Sequence, residues 1–244
     1  MEIIHDLTKD GQLKIVQDTE MNSYTFDSIL LSHFTTVNKR TKKVVDLCSG
    51  NGPIAMLISR RLYADDYQIK CVEIQEHIAN LGEKSIKLNK LDNNIEMICD
   101  DLIDISEKIG KNNYNLVTCN PPYFKVDSQS NLNPNNSVAI ARHELCVNLE
   151  QIIDEARKLL DNMGLFSIVF RPERFDELIV LLDTYGFKVK RMQFVYPKQG
   201  QKCNTILVEA RKGQVNSQVQ ILEPLYVYNQ DDTYTNDALK IVNQ

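Results

Sequence analysis

Asn120, Pro121, Pro122 and Tyr123 follow directly on the apolar run Tyr114–Cys119. Within four positions they supply an amide acceptor, two rigid rings and an aromatic face. Such a set suits a flat, amino-bearing group. A carboxamide oxygen and a backbone carbonyl can accept both hydrogens of a planar NH2, while Tyr123 stacks on the attached ring. Two successive prolines fix φ and carry no N–H, which leaves nearby carbonyls to point at a ligand. Taken alone, the four residues fit equally a proline-rich turn that ends a buried strand. What precedes them in the chain decides for chemistry.

An earlier turn reads Asp46-Leu47-Cys48-Ser49-Gly50-Asn51-Gly52-Pro53. Glycines between a strand and a helix let the backbone come close to a ligand. The G-x-G-x-x-G spacing of a dinucleotide site is absent, and so is the lysine of a P-loop. The next strand ends in Glu73, where an open α/β sheet places an acid for ribose hydroxyls. The third ends in Asp100-Asp101-Leu102, an acid for an adenine amino group and an apolar wall for its ring. Each acid alone fits a helix cap. Asp46, Glu73 and Asp100 or Asp101 at three consecutive strand ends, beside a glycine turn, instead outline a nucleoside site that also takes in Asn120.

The elements that must position these residues alternate from about Lys43 to Phe170. Strands are expected at Val44–Cys48, Ile69–Ile74, Ile95–Cys99, Asn115–Cys119 and Gly164–Phe170. Helices are expected at Pro53–Leu62, Glu76–Asn89, around Asp104–Ile109, at Leu149–Leu160 and at Pro172–Tyr185. Phe187–Tyr196 and Thr205–Ala210 then follow with no helix between them, so they should pair antiparallel. The fold class is α/β, a doubly wound, Rossmann-like, mostly parallel sheet with an antiparallel C-terminal strand. Residues 1–42 read as an N-terminal extension with a strand and a helix, 43–212 as the principal domain and 213–244 as a C-terminal tail. The long Asn- and Ser-rich segment Lys125–Ala141, placed after the Asn-Pro-Pro-Tyr turn, reads as a substrate-contacting loop.

At 244 residues, 43% apolar and 25% charged, the chain has the composition of an ordinary globular protein. It shows neither a membrane-length apolar run nor a basic-then-apolar leader, which points to the cytoplasm and to no membrane partner. Six cysteines lie far apart without a C-x-x-C pair. They read as reduced, buried, small apolar residues, with no metal implied. The formal charge of −5 is unevenly spread. Lys188, Lys190, Arg191, Lys198, Lys202, Arg211 and Lys212 face only the acid Glu209 over that stretch, a composition that suits phosphate contact. The second basic group, Lys39 to Lys43, reads as a solvated face.

Together the glycine turn, the strand-end acids and Asn120-Pro121-Pro122-Tyr123 resemble the class I S-adenosylmethionine-dependent methyltransferases that act on amino nitrogens. The resemblance covers roughly Val44 to Ala210. Cys48 departs from it, standing where many members carry the first glycine of the turn. Within that class the chain looks like the bacterial tRNA1(Val) adenine-N6 methyltransferases, which modify the adenine 3′ of the anticodon. Leu13–Asp18 with Tyr24–Leu31, Arg142-His143-Glu144, Arg171-Pro172-Glu173-Arg174, and the ending Glu223–Tyr228 with Tyr234-Thr235 carry that finer likeness.

The resemblance implies S-adenosylmethionine as cofactor, held by Asp46, Cys48, Gly50, Gly52, Glu73, Asp100, Asp101, Leu102 and Asn120. It implies catalysis by Asn120, Pro121 and Tyr123, with Tyr123 and Phe124 stacking on an extruded base. Arg142 is read as contacting phosphate or bracing the loop, and His143 as a local hydrogen-bonding residue. Asp27 is read either as facing the cofactor or as a structural acid. Lys188, Lys190, Arg191, Lys198 and Lys202 are assigned to the tRNA backbone. Rival readings are a guanine-N2 ribosomal RNA methyltransferase, a release-factor glutamine methyltransferase, a DNA adenine methyltransferase and a non-catalytic RNA-binding module. The first two relatives often carry an extra domain and the third a target-recognition region, for which this chain has little room. A binding module has no need of the acids and Asn120.

Overall fold

Runs such as Lys43–Leu47 and Tyr114–Cys119 have almost no polar alternation, the signature of strands covered on both faces. The computed structural model describes residues 1–19, 25–121, 148–213 and 218–243. In it these runs form the middle of a mixed sheet of nine strands among the described residues. Five strands are parallel: β3 (Lys43–Leu47), β4 (Gln68–Glu73), β5 (Ile95–Cys99), β6 (Tyr114–Cys119) and β7 (Leu160–Phe170). An antiparallel hairpin, β8 (Phe187–Lys198) and β9 (Thr205–Lys212), inserts β9 beside β7. The spatial order β8-β9-β7-β6-β3-β4-β5 reverses its winding between β3 and β6, the switch point at which such sheets open a ligand crevice.

The helices divide between the two faces. On one lie α1 (Phe26–Phe34), α2 (Pro53–Ser59) and α3 (Glu76–Leu88), packed on Val44, Ile69, Leu116 and Leu165. On the other lie α4 (Ile105–Ile109), α5 (Leu149–Leu159) and α6 (Phe175–Thr184), packed on Val45, Val72, Val117 and Phe166. Helix α5 starts with a full capping box. Asn148 accepts from the Gln151 N–H, and the Gln151 side chain accepts in return from the Asn148 N–H. No described helix is long and apolar enough to cross a membrane.

Several boundaries depart from the sequence expectation. Helix α2 ends at Ser59 instead of Leu62, because Arg61 and Leu62 donate to the carbonyls three residues back and tighten the last turn. The segment Pro172–Tyr185 opens as a 3-10 turn over Pro172–Arg174 before α6 begins. Strand β7 starts at Leu160, four residues early, passing through Met163 at φ 71 and a register shift opposite β6.

The N-terminal extension holds a hairpin of β1 (Glu2–Asp6) and β2 (Lys14–Asp18) where one strand was expected. Nor does the sheet stop at Lys212. The tail adds β10 (Gln220–Ile221) and β11 (Leu225–Tyr228) in parallel against β8, then α7 (Asn236–Val242), capped by Thr235. Its Tyr234 ring stacks on Tyr228 at 5.0 Å and approaches Phe26 of α1 at 6.0 Å, so the tail braces the N-terminal helix. Among the described cysteines, Cys71 and Cys119 are buried as expected, but Cys99 is exposed at the end of β5.

One row of side chains crosses the sheet on the α1–α3 face. Register pairs place Cys71, Asp46, Thr118, Ser167, Glu209 and Arg191 side by side on six neighbouring strands. Polar residues in such a position are costly unless hydrogen-bonded. Thr118 donates to Asp46 Oδ1 at 2.6 Å, and Ser167 donates to Glu209 Oε2 at 3.3 Å.

Candidate active site at the carboxyl edge of the sheet

The turn after β3 is built on left-handed backbone. Cys48, Gly50 and Gly52 have φ of 54, 56 and 86°. Glycine adopts this region without strain, whereas cysteine there carries a steric penalty of about 1 kcal/mol. That is the physical content of the departure at Cys48. A Cβ placed on Gly50 would meet nothing within 4 Å, so the turn faces open space. The turn is anchored from three sides. Ser49 N–H donates to Val72 O, Asn51 Nδ2 donates to Val16 O at 2.9 Å, and Gly50 N–H donates to Glu73 Oε2 at 3.0 Å. Helix α3 comes close because residue 82 is glycine; a Cβ there would stand 2.2 Å from Met97 Cε and 3.3 Å from the Asn51 backbone.

Glu73 is buried at the end of β4. Its Oε1 accepts from the Gln75 N–H at 3.0 Å, while Oε2 holds Gly50. Burial pushes its carboxyl above the usual range, against hydrogen bonds from Gln75 and Gly50. The Gln75 side chain also donates to Oε1 at 3.4 Å, so of about four lone-pair sites on a carboxylate one is left for a hydroxyl. Asp46 sits elsewhere than the sequence reading put it. It lies one residue inside β3, fully buried, with its carboxylate turned to Thr118. Desolvation raises its pKa to about 7, and nearby Glu73 adds to the rise, while Thr118 opposes it. Its Oδ2 is buried without a hydrogen-bond partner among the described residues. Asp46 therefore ties β3 to β6 from within the sheet and is not on its outer surface.

The third acid pair closes its own turn. Asp100 Oδ1 accepts from the Asp101 N–H at 2.9 Å, and Oδ2 pairs with Lys108, a bond that holds Asp100 below the usual carboxylate range. Asp101 Oδ1 accepts from the Ile103 N–H at 2.9 Å. Leu102 is buried against the α4–α6 side of the core. The Asp100 N–H donates to Glu73 O at 3.1 Å, which ties the ends of β4 and β5 together.

Asn120 follows β6 at the same edge, and Pro121 is buried behind it. The Asn120 Nδ2 donates to Ser28 Oγ of α1 at 3.1 Å and reaches Thr25 Oγ1 at 3.5 Å. The sequence reading counted Thr25 and Ser28 only as part of a resembling segment. Their role at Asn120 has no local signal, since ninety-two residues separate Ser28 from its partner. The closeness of Gly82 to Asn51 and Met97 has no local signal for the same reason. Asp27 is buried, with Arg171 at 3.3 Å and Thr205 at 3.5 Å, the structural alternative for this acid. Tyr123, Phe124, Arg142, His143 and the segment 125–141 lie outside the described residues.

Arg191, read as a phosphate contact, points inward. Its Nε donates to Glu209 Oε1 at 3.0 Å, its guanidinium lies 4.5 Å from the Phe34 ring centre, and it also donates to Phe34 O. Glu209 additionally accepts from the Thr36 N–H at 2.7 Å and hydroxyl at 2.8 Å. Burial pushes Glu209 up, but the charge and hydrogen bonds of Arg191 and those of Thr36 outweigh it and hold the carboxyl below its ordinary value. Lys190 approaches the same acid at 3.6 Å. Lys188 pairs with Asp183 and Lys198 with Asp232 at 2.7 Å, while Lys202 is exposed on the β8–β9 loop. Much of the basic stretch is thus matched by acids, its own Glu209 together with Asp183 and Asp232 from flanking segments.

The methyltransferase small domain family matches this chain over residues 24–185. Among curated relatives, the tRNA1(Val) (adenine(37)-N6)-methyltransferase of Tolumonas auensis is 25% identical over 233 residues, covering 96% of this chain and 93% of its own. The protein of that name from Erwinia tasmaniensis is 28% identical over 182 residues, covering 75% and 72%. Among solved structures, one described as a predicted O-methyltransferase from Agrobacterium tumefaciens superimposes with a TM-score of 0.68 at 20% identity, over 89% of this chain and 96% of its own. TYW2 of M. jannaschii in complex with AdoMet superimposes with a TM-score of 0.57 at 16% identity, over 88% and 87%. These structural likenesses are likenesses of fold.

Proposed function

Because the chain belongs to the methyltransferase small domain family, we propose that it methylates the N6 amino group of an adenine in tRNA, using S-adenosylmethionine. The adenine at position 37 of tRNA1(Val) is the specific target, the substrate named for the relatives at 25% and 28% identity. The observation that carries this reading is the parallel order of β3, β4 and β6, which delivers the glycine turn, Glu73 and Asn120 to one sheet edge next to the switch point. The residues present fit the cofactor. Gly50 leaves the turn open on one side, and Glu73 offers an acceptor for a ribose hydroxyl beside it. When bound, S-adenosylmethionine supplies a methyl group on a positively charged sulfur, so transfer is a direct displacement.

The chain's own contribution is positioning. Asn120 Oδ1 and the Pro121 carbonyl accept the two amine hydrogens, which holds the nitrogen and draws its lone pair out of conjugation with the ring. Tyr123 and Phe124 stack on the extruded base. No strong general base is needed, because the proton leaves after the nitrogen has become cationic. Arg142, Lys188, Lys190, Lys198 and Lys202 contact the RNA backbone, Lys188 exchanging its surface ion pair with Asp183 for a phosphate. A tRNA substrate places this work in the cytoplasm.

The test is to incubate the protein with S-adenosylmethionine and unmodified bulk tRNA and to measure methylated nucleosides by mass spectrometry. N6-methyladenosine in a valine tRNA, lost with Asn120→Ala while cofactor affinity persists, is the expected result. Absence of any methylated nucleoside in tRNA overturns the reading.

A further inference from the structure

A carboxamide that grips an amine must present its oxygen. Asn120 can rotate about its side-chain bonds, and its oxygen and NH2 ends have nearly the same shape. Something other than shape has to hold it. The structure supplies a hydroxyl pair for this end of the side chain. Asn120 Nδ2 donates to Ser28 Oγ at 3.1 Å, with Thr25 Oγ1 at 3.5 Å, two acceptors for the two N–H groups of one amide.

Ser28 is 4% exposed and stands in the first turn of α1, its own N–H bonded to Thr25 O at 3.0 Å. The helix carrying it is fixed along its length. Near its start, Asp27 meets Arg171 at 3.3 Å and Thr205 at 3.5 Å. Just past its end, Thr36 donates backbone and hydroxyl hydrogens to Glu209. A hydroxyl on so constrained a helix is a fixed reference point, whereas Asn120 itself follows the last residue of β6.

We propose that Ser28 is a positioning residue: its hydroxyl binds the amide nitrogen of Asn120 and thereby turns the carboxamide oxygen toward the amine to be methylated. This rests on the catalytic role given to Asn120 above. It makes α1, outside the alternating β/α core, part of the catalytic apparatus. Thr25 is the weaker second contact, since its distance is at the limit of a hydrogen bond.

The experiment compares wild type, Ser28→Ala, Ser28→Thr, Asn120→Ala and the double variant Ser28→Ala/Asn120→Ala. Single-turnover methylation of unmodified tRNA, cofactor affinity by calorimetry and thermal unfolding are measured for each. Ser28→Ala is expected to slow methyl transfer roughly 10- to 100-fold, as loss of alignment does. Cofactor affinity and melting temperature stay close to wild type, and Ser28→Thr, which keeps the hydroxyl, recovers most of the rate. In the Asn120→Ala background the Ser28 substitution has no further effect. An unchanged rate in Ser28→Ala, or an equal loss in both backgrounds, overturns the proposal.

A second readout needs no substrate. The side-chain amide resonances of Asn120, identified by their loss in Asn120→Ala, should shift in Ser28→Ala. If wild type methylates no tRNA while these resonances shift, the functional reading has failed and the positioning contact stands. Resonances that do not move overturn the contact itself.

Discussion

Asp46 and Glu209 occupy one row of the sheet, with two strands between them, and both are fully buried. Their surroundings make them opposites. Glu209 receives Arg191, Lys190, Thr36 and Ser167, and its carboxyl stays ionised below the ordinary value. Among the described residues Asp46 receives the Thr118 hydroxyl alone, its Oδ2 stays unpartnered, and its pKa is raised to about 7. Burial by itself therefore does not say what an acid does. An acid matched by cations fastens elements together, here α1 to the β8–β9 hairpin. An acid left short of donors, next to the glycine turn and Glu73, carries an electrostatic cost at the edge where chemistry is proposed.

The largest test of this contrast is Glu209→Ala. Removing one partner of a buried pair strands the other, so Arg191 would be left uncompensated under Phe34, and unfolding in urea should show a loss of roughly 3–5 kcal/mol. The pH dependence has a definite sign. A lowered folded pKa gives stability that is present above the unfolded value and lost as pH falls through the folded one. A loss below about 1 kcal/mol would remove the distinction drawn here, because it is no more than a surface pair contributes.

Asp46→Asn tests the other end. The folded Asp46 holds its proton up to about pH 7, against 3.8 for the ordinary group. Its contribution to stability therefore declines as pH rises from the lower value to the higher, and is flat beyond. The amide variant should lack that decline and at pH 8 gain on the order of 3 kcal/mol relative to wild type. Parallel pH profiles of the two proteins would show that Asp46 is ionised without penalty.

Glu73→Gln should act on binding more than on folding. It keeps the side-chain shape but loses one charged acceptor, and cofactor affinity measured by calorimetry should fall about tenfold, close to 1.4 kcal/mol. An unaltered affinity would place Glu73 with Glu209 as a purely structural acid. The smallest effect is expected from Cys48→Gly. Relief at φ 54 should raise unfolding stability by less than about 1 kcal/mol, partly offset by the greater freedom of glycine in the unfolded chain.

The site was partly legible because its signals are local. A glycine turn between a buried strand and a helix, an acid at the end of the next strand and an amide with prolines after the fourth are all written within short windows. Parallel order then brings successive strand ends to one edge, so Gly50, Glu73 and Asn120 could be associated before any coordinates. The same logic overreached for Asp46. Strand-end acids look alike in sequence, and only the register decided that this one faces Thr118 inside the sheet. It overreached again for Arg191, whose partner lies across a hairpin with a bulge between Val189 and Arg191.

The sequence by itself determined the alternation of strands and helices, the polarity of the sheet and the residue types gathered at its carboxyl edge. These follow from hydrophobic periodicity and from backbone conformations that glycine and proline restrict locally. Tertiary structure alone decided which charges are neutralised, which acid is desolvated, that the tail extends the sheet past β8, and that Ser28 meets Asn120. Those outcomes depend on distances between residues far apart in the chain, and such distances exist only once the core has packed.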